Sequence, residues 1–68
     1  MVDVNELRGI IAKNNLTQTD VAKMLDMTPK TFYDRMKKGI FGSDEIQIMI
    51  ENLNIEKPMD IFFAKEVT

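Results

Sequence analysis

The sequence contains no cysteine and no histidine. Without cysteine there is no disulfide and no thiolate metal site. Without histidine the chain lacks the commonest general base and the commonest metal ligand. There is no glycine-rich phosphate loop and no cluster of carboxylates set among apolar residues. A chain of 68 residues also leaves little room for a concave pocket. An enzyme is therefore not expected, and no cofactor, catalytic residue or metal site is expected either. Long apolar runs are missing as well. The longest, Ile61 to Ala64, has four residues, and a membrane span needs roughly 20. The N-terminus, MVDVNELRG, is polar and acidic without an apolar stretch, so no signal peptide is expected. The expected compartment is the cytoplasm, with no membrane partner and no small-molecule substrate.

What is present is a single short domain, 1–68. A domain of this size buries only roughly 60% of its unfolded surface, so good packing or a partner is needed. Net charge is −2, and its distribution is uneven. Lys23 to Lys38 holds five basic residues (Lys23, Lys30, Arg35, Lys37, Lys38) and two acidic ones (Asp26, Asp34), a local +3. The remainder holds four basic and nine acidic residues, −5. An acidic remainder would keep that face away from phosphates.

The apolar pattern has a helical period throughout, without β-alternation. Asp3 is expected to cap a first helix, with Glu6 completing a capping-box-like pattern. Leu7, Ile10 and Ile11 form its apolar face. Gly9 is unusual mid-helix and suggests a close helix crossing. Asn14-Asn15 ends the helix. Thr17 caps helix two, with Asp20 in its first turn and Val21, Met24 and Leu25 as its stripe. Thr28-Pro29 opens helix three. There Phe32 and Met36 face inward, and Gly39 is the stop. Ile40 and Phe41 are expected as two apolar anchors, and Ser43 as the cap of helix four. Ile46, Met49, Ile50 and Leu53 make that helix's inner face. Pro58 opens a fifth helix, with Met59, Phe62 and Phe63 packing back and a frayed tail, AKEVT. The expected fold is an all-α five-helix bundle.

Leu16 to Phe32 carries the functional signal. Two helices joined by a turn of three to four residues must cross at roughly 90–120°. The crossing needs a small residue at the contact (Ala22), an apolar residue after the turn (Met27) and one inside the second helix (Phe32). This pattern resembles the lambda-repressor and Cro-like helix-turn-helix family, with the helix-turn-helix at about 17–38. Leu16-Thr17-Gln18 is similar to that family's usual lead into the motif. Thr31 to Met36, Phe41, Glu45-Ile46 and Ile61-Phe62-Phe63 resemble short regulators of phages and prophages of low-GC Gram-positive bacteria. One departure is Asp26, where the family often has glycine because the turn takes a positive φ, which aspartate tolerates.

Helix geometry puts Lys30, Asp34 and Lys37 opposite Phe32 and Met36, flanked by Thr31, Tyr33 and Lys38. In this family the second helix lies in the major groove. The resemblance therefore implies base reading by Lys30, Thr31, Tyr33 and Asp34, and phosphate contact by Gln18 and Thr19. Lys37 and Lys38 are placed to grip phosphates. Each has a plainer reading too. The lysines can be a solvated helix face, Tyr33 a half-buried packing residue, Asp34 an ion-pair partner of Lys30 or Lys38, and Gln18 and Thr19 the ordinary start of a helix. Ile48 with Phe62, Phe63 or Val67 could form an apolar patch, which suggests a dimer.

The expected function is transcriptional regulation through double-stranded DNA, by a repressor or Cro-like switch protein acting as a homodimer. With no ligand-sensing or self-cleaving domain, a two-domain repressor is not expected. The alternative is a helix-turn-helix-fold interaction module, an antirepressor or accessory factor, that does not read DNA. The acidic balance favours it.

Overall fold

The computed structural model describes residues 2–63. Among them are five α-helices and no strand: α1 (Val4–Lys13), α2 (Gln18–Met24), α3 (Pro29–Lys38), α4 (Ser43–Asn52) and α5 (Pro58–Phe62). The described residues are all-α, as their periodicity predicts.

Local chemistry sets most of the boundaries. The Asp3 side chain accepts from the Glu6 amide at 3.2 Å and caps α1. Thr17 and Asp20 form a reciprocal capping box on α2. Thr17 Oγ1 accepts from the Asp20 amide at 3.1 Å, and the Asp20 carboxylate accepts from the Thr17 amide at 2.8 Å. The arrangement satisfies an amide that the helix start leaves unpaired. Thr28 caps α3, with Pro29 in its first turn. The stops are left-handed residues: Asn15 (φ 60°), Asp26 (φ 58°), Gly39 (φ 69°) and Asn54 (φ 51°). Asp26 thus takes the positive φ that the turn was expected to need.

The core is built from every helix. Leu7, Val21, Ala22, Phe32, Met49 and Leu53 are essentially inaccessible, and Ile11, Leu25, Met36, Phe41, Ile55, Ile61 and Phe62 join them in the interior. Phe32 and Phe41 pack as a tilted ring pair 5.7 Å apart. No polar or charged side chain is buried among the described residues. Val2 is also interior, although the N-terminus reads as polar. Its amide donates to Gly39 O at 3.0 Å, and the Asp3 amide to Ile61 O at 2.7 Å. The N-terminal segment is thereby tied between the end of α3 and α5.

Several expectations are corrected. The cap of α4 is Gly42, and Ser43 is the first helical residue. The decisive contact is Glu45, whose carboxylate accepts from the Gly42 amide at 2.7 Å. Gly9 is exposed with open space where a Cβ would lie, so no helix crosses there. Ile40 is exposed, leaving Phe41 as the single anchor of its loop. Met59 does not pack back: it is 67% exposed, as is Phe63 at 55%. Phe62 is interior and cannot join a surface patch. Ile48 is partly buried against the core. Val67 and the AKEVT tail lie outside the described residues. No helix among the described residues is long and apolar enough to cross a membrane.

Candidate nucleic-acid interface

The candidate surface is the outer face of α3, and α2 is what holds it in place. Of all helix pairs, α2 and α3 make the most extensive contact. Ala22 at the junction is fully buried, as is Phe32 beneath α3. A methyl at position 22 lets α3 approach α2 closely. Between the helices the Met27 amide donates to Ala22 O at 3.0 Å, which closes the turn back onto α2. Met27 itself is partly buried against the core.

Burial of Phe32 and Met36 fixes how α3 is rolled. At about 100° per residue, Lys30, Asp34 and Lys37 then point away from the core. All three are exposed, as is Lys38. Tyr33 flanks them at 50% exposure. Thr31 is half-buried, and its hydroxyl lies 2.9 Å from that of Thr28. The Thr28 hydroxyl also receives the Thr31 amide, at 3.2 Å. Thr31 is therefore partly engaged in holding the start of the helix. The six residues expected on this helix do share one surface, with Thr31 at its edge.

Asp34 pairs with neither Lys30 nor Lys38. Among the described residues the one ion pair joins Arg35 Nη1 to Glu45 Oε1. The charge count of the basic stretch changes accordingly. Arg35 is neutralised across the α3–α4 corner, and Lys30, Lys37 and Lys38 are left as the outward cations of α3. This pair was not expected. Arg35 and Glu45 lie on different helices, ten residues apart, a spacing with no meaning in a helical repeat. The one local hint is the position of Glu45 three residues after a glycine cap, where a carboxylate reaches back to the cap amide.

Gln18 and Thr19 lie in the first turn of α2, both half-exposed. Their amides have no intrahelical acceptor, as at any helix start. The Asp20 carboxylate shares that end. Its pKa is lowered, chiefly by the hydrogen bond from the Thr17 backbone amide, so it stays charged. A fixed negative charge there weakens the attraction of α2's start for a phosphate. Phosphate contact at Gln18 and Thr19 thus depends on amides and side chains more than on the helix dipole.

Chemically, the α3 face offers ammonium donors suited to guanine O6 and N7, a carboxylate suited to cytosine N4, and a phenol. No group of His, Cys, Asp and Glu among the described residues is arranged to hold a metal ion. Comparison with family models, with curated proteins and with solved structures returns no match for the chain.

Proposed function

We propose that the chain is a sequence-specific DNA-binding transcriptional regulator of the lambda-repressor and Cro-like helix-turn-helix type. In this reading it is a phage or prophage repressor or Cro-like switch protein that occupies an operator and sterically blocks polymerase. One observation carries the reading. The outer face of α3 presents Lys30, Lys37 and Lys38 without carboxylate partners among the described residues, beside exposed Tyr33 and Asp34. A solvated helix face would more commonly interleave its charges as i,i+4 pairs. Here Asp34 stands four residues from both Lys30 and Lys38 and pairs with neither. α3 enters the major groove, with Lys30, Thr31, Tyr33 and Asp34 toward base edges. Lys37, Lys38, Gln18 and Thr19 lie toward the backbone. Binding as a homodimer fits the exposed Met59 on α5 and Phe63 just past its end, four residues on.

A second reading has its own support. The net charge of −2 and the Asp20 carboxylate at the start of α2 both oppose phosphate binding. An interaction module that keeps the fold without reading DNA would show these features.

One experiment separates the two. Duplexes are selected from a randomised pool on the purified protein, and their binding is followed by fluorescence anisotropy across a salt series. The DNA-binding reading expects enrichment of a consensus, and affinity that falls steeply with salt at roughly 0.9 log units per phosphate contact. If no duplex is enriched and binding is no tighter than to random DNA at low salt, the interaction-module reading stands instead.

A further inference from the structure

Arg35 is the one arginine of α3. Its neighbours on the helix surface, at i−4 and i+3, are Thr31 and Lys38. It therefore borders the outward face on the side of α4. Glu45 holds it there. Glu45 Oε1 accepts both from Arg35 Nη1 and from the Gly42 amide. The Arg35 carbonyl in turn accepts from the Gly39 amide at 2.8 Å and the Ile40 amide at 3.3 Å. Backbone and side chain of one residue thus tie the end of α3 to the loop and the first turn of α4. The guanidinium is 38% exposed and the Glu45 carboxylate 19%. The pair is screened from water on one side only, and Arg35 needs no repacking of the core to leave it.

We propose that Glu45 masks Arg35. The carboxylate keeps a strong, always-charged phosphate binder off the edge of the DNA-contacting face, so that sequence-independent affinity is held down. The inference rests on the DNA-binding reading of α3. Arginine on the phosphate backbone adds affinity for every sequence alike. Removing it from the contact set lowers binding to random and selected DNA by the same factor and leaves base readout untouched. Glu45 in this way sets affinity and its salt dependence without ever meeting DNA.

The test uses the full chain with the selected duplex and a random duplex of equal length, by anisotropy between about 50 and 200 mM salt. Glu45→Gln removes the charge and keeps an oxygen for the Gly42 amide. Its salt slope should steepen by about 0.9, a further fall of roughly threefold to fourfold across that salt range. Random and selected DNA should both bind more tightly at low salt, by the same factor, so that the ratio of their affinities stays unchanged. Glu51→Gln, a charge removed from the same helix away from Arg35, should leave the slope unchanged. The double variant Arg35→Met with Glu45→Gln should return it to the wild-type value. A merely structural role for the pair would weaken binding and could not steepen the slope. An unchanged or shallower slope in a folded Glu45→Gln overturns the inference. So does a slope reduced by about 0.9 in Arg35→Met alone, which would place Arg35 on DNA already. In both of those outcomes wild type still binds, and the DNA-binding reading survives. If wild type binds no duplex, that reading falls and the inference falls with it.

Discussion

Lys30 and Lys37 occupy one face of α3, yet they are expected to report different things. In the proposed DNA-binding reading, Lys30, in the first turn, reads a base. Lys30→Ala should cost about 1–3 kcal/mol on the preferred duplex and relax selection at one position. Lys37→Ala should weaken all sequences alike and lower the salt slope by about 0.9. Anisotropy on matched and single-mismatch duplexes distinguishes the two. Equal losses on every duplex for Lys30→Ala would remove it from the base-reading set. Asp26 poses a separate question. It holds φ 58° with a Cβ, a conformation that costs other L-residues roughly 1–2 kcal/mol and aspartate less. Asp26→Val should destabilise by about that amount, while Asp26→Gly should be neutral or mildly stabilising. Urea unfolding of both variants checks this. A marked loss in Asp26→Gly would mean that the aspartate side chain contributes something beyond tolerance of the turn.

The helices owe their boundaries to local hydrogen bonds, and those were readable. Asp3, Thr17, Thr28, Asn15 and Gly39 act where their types and spacing say they should. Position 42 escaped because glycine and serine are both acceptable caps. Only the reach of Glu45 to the Gly42 amide decides between them. Ile40 and Met59 were misplaced for a related reason. A loop and a five-residue helix carry too little periodicity to say which apolar residue turns inward. The Arg35–Glu45 pair is tertiary and leaves no mark in a helical repeat. The capping box on α2 gives a pH test. The Asp20 pKa is lower in the folded state than in the unfolded chain. Its contribution is therefore present above the unfolded value and is lost as pH falls through the folded one. Stability should be flat near neutrality and decline below about pH 4. In Asp20→Asn that acid decline should be shallower. Urea midpoints over the acid range measure it, and an unchanged acid limb would assign the decline to other carboxylates. Thr17→Ala, which removes the reciprocal cap, should cost about 1 kcal/mol at neutral pH.

At the scale of the molecule, everything rests on a small apolar interior. A chain of this length is expected to have a total stability of about 3–10 kcal/mol. Phe32 is fully buried on α3 and pairs at a tilt with the ring of Phe41. Phe32→Ala should cost about 3–5 kcal/mol. It should leave the domain unfolded or close to it at 37 °C, with loss of the cooperative thermal transition by circular dichroism. A variant that still melts cooperatively near the wild-type temperature would show that the α2–α3 junction is held by other contacts.

Sulfur in this chain is methionine alone, and its side chains are graded by depth. Met59 is 67% exposed, Met24 and Met27 are partly covered, and Met36 and Met49 are sealed at 2% and 0%. Peroxide oxidises accessible thioethers, so the order of sulfoxide formation should follow that gradient, with Met59 first among the described methionines. The last two can react only when the bundle opens. Their oxidation rate, read by peptide mass spectrometry, is a built-in clock for the frequency of opening. An operator duplex that binds the native bundle should slow that clock at Met36, on the inner side of α3.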